Sequence, residues 1–578
     1  MSELRQADST DLSTFSIEVD GVPLPSNYQI EFIDIRRSAN HIASADIGFI
    51  DGDPADQRFE LSSSEQMRPG GKVEIRLGYN HSDSSVFVGV LLRQQIKVNR
   101  QGKSRLLIFC KDAAFVMAQS YKSAYFEELS DSDLIERLIA EYGLQADIAP
   151  TSVTHKEITQ FRQLDWDLMV RRAEQNGLYC ATDDGVLRVQ APINNAPKYE
   201  LSFGENVIDL DLQMDARFQY ASTKSVGWSA AEQQSTEYQG VTTSVAAPGN
   251  ISLAELAEAA GDQELIQPAD GSVSAQLLQQ WADASKTKQS LAKVLGTITT
   301  QGIAGIKIGD WVNLKGFSER FDGLAWVGGL GHSLSAGNWL TTVQLGLPPR
   351  WHQPSDESVT PPLKSLESSI SGLHIGVVTQ LAEDPDSEDR VQVKLPILGE
   401  QQSGVWTRMS TLDAGNGRGW VVRPEIGDEV IVGFIDNDAN QAILLGALHS
   451  SANPSPVEAS DDNHEKGWVT RSGMQLIFDD DKVSVNLETP SGNIVQLNED
   501  EGSIVIKDQN DNEWLMDSNG IKLTSNSNIA IETSADVALK GSNVTIEANA
   551  SLALKGSGEA NLESSGNTVV KGALVQIN

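Results

Sequence analysis

From Ile521 to the C-terminus the chain repeats at a period of eight: IKLTSNSN, IAIETSAD, VALKGSN, VTIEANAS, LALKGSGE, ANLESSGN and TVVKGALV, followed by QIN. Apolar or small residues hold positions one and three of each unit: Ile521/Leu523, Ile529/Ile531, Val537/Leu539, Val544/Ile546, Leu552/Leu554, Ala560/Leu562 and Thr568/Val570. Side chains two apart lie on one face of a strand. The Gly, Ser and Asn residues between the pairs suit a bend. Each unit therefore reads as one short strand plus one corner, the signature of a β-solenoid. Three faces close a prism, so one chain needs roughly 24 residues per turn and has about two turns, fewer than the ~3 repeats a stacked architecture needs. Three chains wound together make every octad a full layer, and layers rising ~4.8 Å each give a shaft of roughly 34 Å. The pattern thus predicts a homotrimeric, triple-stranded β-helix with Leu523, Ile531, Leu539, Ile546, Leu554, Leu562 and Val570 in its core. A surface β-repeat on a monomer is the plainer alternative; the regular apolar pairs argue against disorder.

The 578 residues suit three to five domains. The formal net charge is −36, from 80 acidic and 44 basic residues. Such a field repels nucleic-acid backbones, so no nucleic-acid partner is expected. The octad end is acidic too, with 17 acidic and 8 basic residues from Glu465 onward. Cys110 and Cys180 each stand alone among apolar neighbours, which predicts buried thiols rather than a disulfide or metal site. The start MSELRQADSTDLS lacks a signal-peptide pattern. No run approaches the 18 apolar residues of a membrane span.

The pattern along the chain is mainly β. FSIEVDG, KVEIRLGY, SVFVGVLL and SRLLIFCKD alternate as strands, giving a first β-barrel over 1–120. An α/β segment covers 121–200: Ser130-Asp131 cap a helix ended by Gly143, and Asp165 caps a second that stops before Gly177. A second β-barrel spans 201–350, with helices at 251–265 and 273–294. Residues 351–371 read as a linker. Six short runs, HIGVVTQL, RVQVKL, GVWTRMS, GWVVRP, DEVIVGFID and QAILLGALH, make 372–450 an OB-fold-like barrel. A linker at 451–466 precedes 467–578, a β meander of looser spacing that runs into the octads.

Three stretches carry a resemblance. LDWDLMVRRAEQNGLYC (164–180), RGWVVRPEIGDEVIVGFIDNDANQAILLGALH (418–449) and TRSGMQLIFDDD (470–481), with the octads behind them, resemble the hub, OB domain and needle of VgrG-type spike proteins and phage tail hubs. The resemblance implies a homotrimeric spike of a contractile injection system: type VI secretion, an extracellular phage-tail-like particle or a phage baseplate. It implies tandem hub barrels matched to a hexameric tube, baseplate partners, effector cargo, and a PAAR-type tip protein on the needle end. It also implies assembly in the bacterial cytoplasm, ejection to the extracellular space or target cell, and puncture of that cell's envelope. Some phage relatives insert a lysozyme domain between OB domain and needle; residues 451–466 are too few for one. Other members carry a C-terminal effector; none is expected after Val570. The tip protein is expected to sit on Ala573, Leu574, Val575, Gln576, Ile577 and Asn578, an apolar end with no charged side chain after Lys571.

Catalytic motifs are incomplete. Gly102-Lys103-Ser104 lacks the first P-loop glycine, since Lys97 stands in its place. Gly331-His332-Ser333-Leu334-Ser335 is one glycine short of a nucleophile elbow. Asp51, Asp53 and Asp56 lack the remainder of a calcium loop, and Asp479–Asp481 read as a solvated turn. No catalytic, cofactor or metal site is expected. The rival readings are a spike with a hidden peptidoglycan-hydrolase site and an adhesive fibre.

Overall fold

The structure, a computed structural model, describes residues 12–183, 185–229, 234–241, 245–269, 273–351, 370–399, 404–438 and 441–577. It is mainly β, with 43% strand and 11% helix. The chain forms two compact units, Met1–Ser369 and Ile370–Asn578.

Unit one is built on one 13-stranded sheet. The strands Ser13–Val19, Ile30–Ser38, Ser44–Ile50, Lys72–Tyr79, Ser82–Val98 and Ser104–Lys111 alternate apolar-in and polar-out. They seal a core containing Ile33, Ile47, Phe49, Ile75, Leu77 and Ile108. A second lobe, from Tyr199–Ser202, Val207–Met214, Val294–Gln301, Trp311–Lys315, Gly323–Ser335 and Asn338–Leu345, encloses Leu201, Ile298, Val312, Leu314 and Val343. Sequence reading expects tandem barrels over 1–120 and 201–350; Gly323–Ser335 hydrogen-bonds directly to Ile30–Ser38, so the two lobes share one sheet.

Between the lobes in sequence lies the α/β segment. Ser130 caps the helix Asp131–Ala140 reciprocally with Asp133, and Gly143, at φ 66°, leaves the helical region just past it. The second helix, Asp165–Gln175, is capped by Leu164 and not by Asp165. Asp165 is instead its first helical residue and fully buried. Its carboxylate accepts from the Tyr142 hydroxyl (2.7 Å) and the Gln160 amide (2.7 Å), with the Lys122 ammonium at 2.7 Å. Those partners turn a helix-start acid into a tertiary anchor. A buried charge network joins the segment to both lobes. Arg37 donates to Asp183 (2.8 Å), and Lys307 donates to the same carboxylate (2.9 Å). Burial raises the Asp183 carboxyl, but Lys307 and Arg37, with Arg188 3.0 Å away, hold it below the usual carboxylate range.

Other expectations shift locally. The first excursion helix is Leu253–Ala259, and residues 264–265 belong to the strand Glu264–Pro268. Gly261 (φ 89°) and Asp262 (φ 51°) end that helix early. The second is Ala275–Leu291. Of the 351–371 linker, 352–369 lie outside the described residues; Trp351 is no linker residue, being buried against Trp311, Trp326 and Tyr179. Cys110 and Cys180 are buried, and burial pushes the Cys110 thiol up to about 12.

In unit two, five strands close a barrel in the order Leu373–Gln380, Val391–Lys394, Val405–Met409, Ala442–Ala447, Glu429–Phe434. Val393, Val430 and Val432 are fully buried inside it. GWVVRP is not a strand. Gly419, at φ 139°, bends the chain out of extended geometry, and Trp420, Val421 and Val422 stand exposed. Trp420 instead stacks on Trp468, with ring centroids 4.5 Å apart and planes 11° from parallel.

Candidate functional site

The residues 465–577 carry the feature that most constrains function. Seven strands, Glu465–Val469, Gln475–Asp479, Ser484–Glu488, Ile494–Asn498, Ser503–Lys507, Glu513–Asp517 and Gly520–Thr524, pair in chain order as an antiparallel ladder. The register sorts their side chains. Trp468, Leu476, Leu487, Val495, Ile506, Trp514 and Leu523 stand opposite one another in one column. Phe478, Val485, Leu497, Ile504, Met516 and Ile521 form a second column on the same face. The other face mixes Ile477, Asn486, Gln496, Val505, Leu515 and Lys522. A single sheet cannot cover its own face, so Leu497 stays 49% exposed and Trp514 46%.

The turns are built by acids. Asp508 accepts from the backbone and side-chain amides of both Asn510 and Asn512, which lower its carboxyl to about 2. Lys482 and the backbone N–H groups of Asp481 and Lys482 hold Asp479 below its usual range. Asp480 and Asp481 therefore form the solvated turn expected of them, while Asp479 ends the preceding strand with its side chain largely covered. The other tempting motifs are equally structural. Asn99 accepts from Gln101 and Lys103 at the hairpin turn around Gly102. His332 is buried and bonded to Thr341 (3.0 Å), and burial pushes it down to about 3. Asp51 accepts from the backbone N–H groups of Gly52, Leu61 and Ser62. Among the described residues, no helix is long and apolar enough to cross a membrane.

The sequence-predicted core residues begin at the ladder's last strand. Leu523 and Ile521 continue the two columns, because Leu523 faces Trp514 and Ile521 faces Met516. Positions one and three of the octads are thus in phase with the ladder. Beyond Thr524 the isolated chain forms no strand among the described residues. Ile531, Leu539, Ile546, Leu554, Leu562 and Val570 are all exposed, as are Ala573, Leu574, Val575, Gln576 and Ile577. Asn578 lies outside the described residues. The octads thus lack, in one chain, the strands and buried interior expected of them. Their apolar pairs have nothing to pack on until other strands are added.

Sequence reading joins the meander and the octads in one segment, 467–578, but does not resolve the ladder's two apolar columns. The signal was an apolar pair at x and x+2 recurring at 476/478, 485/487, 495/497, 504/506 and 514/516. Its step alternates between nine and ten and so escapes an eight-residue template.

The family described as the Alg8 N-terminal domain matches residues 9–336. The type VI secretion system/phage-baseplate injector OB domain matches residues 374–449, the closed barrel. Over 105 residues the chain is 32% identical to the type VI secretion system spike protein VgrG4b of Pseudomonas aeruginosa, covering 17% of this chain and 13% of that protein. Over 75 residues it is 36% identical to the actin cross-linking toxin VgrG1 of Vibrio cholerae, covering 12% and 7%. The chain thus spans only a small part of the length of these curated relatives. Among solved structures, the 43 kDa tail protein of prophage MuSo2 from Shewanella oneidensis aligns with a TM-score of 0.45 at 12% identity, over 59% of this chain and 100% of that one. An E. coli type VI secretion component described as similar to bacteriophage T4 tail proteins aligns with a TM-score of 0.38 at 12% identity, over 75% and 99%. With the Alg8 N-terminal domain model covering more than half of its length, the chain belongs to that family, and its injector OB domain and VgrG relatives make it similar to VgrG-type spike proteins.

Proposed function

We propose that this protein is the structural trimeric spike of a contractile injection system, with residues 1–350 as the hub that adapts it to a hexameric tube. In this reading the ladder and octads form a rigid needle. The observation that carries it is the pair of apolar columns, uncovered in one chain and followed in sequence by six further pairs from Ile529/Ile531 to Thr568/Val570. Three copies facing one axis remove both columns from water. At about 25 cal/mol per Å² of apolar surface, dozens of such side chains make the assembled state strongly preferred. A sheath contracting elsewhere supplies the force; the needle transmits it to a small area of target envelope.

The end residues Ala573–Asn578 would present three copies of Leu574, Val575 and Ile577 as a landing for a PAAR-type tip protein. The role is mechanical, with no reaction assigned to the chain. Assembly would take place in the bacterial cytoplasm and ejection would deliver the spike outward, with any effector cargo.

Light scattering on purified protein checks the assembly. A mass near three times 62.5 kDa is expected, and a folded monomer at micromolar concentration overturns the reading. Deleting 573–578 should leave the assembled spike intact but unable to retain a tip protein in a pull-down. Retention by the truncated spike would remove the landing from that end.

A further inference from the structure

The helix Ala275–Leu291 has faces of different character. Leu278, Ala282, Ser285 and Gln289 are buried, and the Gln289 amide donates to Thr223 on the strand Ser222–Ser229 (2.7 Å). Gln276, Gln279, Gln280, Asp283 and Thr287 recur three or four residues apart, so they share another face. Together with Ser152, Asn176 and Tyr238, that face lines a cleft of about 590 Å³. Small-molecule sites measure about 300–1,000 Å³. The walls of the cleft meet the helix backbone. A Cβ on Gly240, just past Tyr238 in the chain, would stand 2.5 Å from the Ala282 carbonyl oxygen, and one on Gly177, next to Asn176, would stand 3.3 Å from the Ala284 Cα. Glycine lets both walls come this close.

Hydrogen bonds sort the lining groups into committed donors and free acceptors. The Gln279 amide nitrogen donates to the Gln239 carbonyl and to Asp283, each at 2.9 Å. The Gln280 nitrogen donates to the Asn176 side-chain oxygen at 2.5 Å. Asn176 is itself anchored, its nitrogen donating to the Arg172 carbonyl and to the fully buried Asp131 carboxylate, each at 2.8 Å. One Asp283 oxygen accepts from the Val241 N–H (2.7 Å) and from Gln279. Among the described residues, Gln279 Oε1, Gln280 Oε1 and the second Asp283 oxygen are left as acceptors without a donor. No cation lines the cleft among the described residues.

We propose that this cleft binds an amino sugar, a ring of hydroxyl donors carrying one ammonium. The free Asp283 oxygen takes the ammonium in a charge-assisted bond. The neutral oxygens of Gln279 and Gln280 take hydroxyls. Tyr238 supplies an aromatic side chain for the apolar face of the ring. An acidic sugar meets a carboxylate and no cation, so it is repelled. A polyamine brings several ammonium groups to one carboxylate and leaves the others without a countercharge. The net charge of −36 acts in the same sense, favouring a cationic ligand over an anionic one.

Titration calorimetry on the full chain at pH 6, with glucosamine, glucose, glucuronate and spermidine as probes, tests the assignment. Glucosamine should bind at least about tenfold more tightly than glucose, the margin of one charged hydrogen bond over a neutral one, and glucuronate should give no heat. Asp283→Asn keeps an oxygen for the Val241 N–H and should bring glucosamine down to the level of glucose. Ser152→Trp, a change at an exposed position on the cleft wall, should abolish the binding of both sugars by filling the space. Absence of heat with glucosamine overturns the proposal. So does tighter binding of glucuronate or spermidine, or glucosamine binding that survives Ser152→Trp. Each outcome is independent of how many copies assemble.

Discussion

Ile47, Phe49, Ile75 and Ile108 in the first lobe are completely removed from solvent, whereas Ile531, Leu539 and Leu554, of the same chemistry, are 73%, 73% and 78% exposed. The lobe folds its sheet around a core, so one chain supplies both sides of every contact. The ladder is one layer of five-residue strands, and its second side must come from elsewhere. The hub should therefore behave as a conventional domain whose stability is set within the chain. The needle region should owe its stability to association and depend on concentration.

Breaking the associating side should have the largest effect. In the proposed trimer, Ile546→Asp would bury three carboxylates in one layer, each costing several kcal/mol even after relaxation. The expected outcome is loss of the trimer in light scattering with the hub's thermal transition unchanged; Asn549→Asp should be nearly silent. The matching lesion on the self-sufficient side is Trp339→Ala. Trp339 is 1% exposed and lies between the two lobes' shared strands, against Tyr79 at 5.2 Å. The expected loss is about 3–5 kcal/mol in denaturant unfolding of the hub, independent of protein concentration.

Acid should separate the two regions next. His332 sits well below its ordinary 6.5 when folded, at about 3. The unfolded chain then binds the extra proton first, so this group's contribution is complete above 6.5 and is lost as pH falls toward 3. The slope is at most about 1.4 kcal/mol per pH unit. His332→Asn should flatten the hub's stability between those limits and leave the ladder unaffected. The smallest effect is expected at the exposed Arg471–Glu425 pair (2.7 Å) between the ladder's first turn and the OB barrel. Glu425→Gln should cost less than about 1 kcal/mol and vanish at high salt.

What was legible in the sequence follows the same division. The octads declared themselves because a fixed step and paired apolar positions survive without any knowledge of partners. The OB strands were legible as short alternating runs, except GWVVRP, whose apolar residues stand exposed, with Trp420 stacked on Trp468. Asp165 looked like a cap because its neighbours in sequence, not in space, were visible. The shared hub sheet was hidden for a related reason. Its decisive junction joins residues 32–38 to 329–335, and nothing local encodes a pairing across some three hundred positions. The ladder was half legible: its apolar pairs are plain, but their uneven step concealed the two columns.

Both thiols of the chain, Cys110 and Cys180, lie in hub strands and are sealed from solvent, and burial raises both above the ordinary thiol range. Neither presents the thiolate that oxidants and disulfides attack, and with no surface cysteine copies cannot become cross-linked by accident. The protein therefore has the same covalent structure in a reducing medium and in an oxidising one. Carrying the chain abruptly from one to the other would leave it chemically untouched. Treatment of the native protein with a thiol reagent should label neither residue until the hub unfolds.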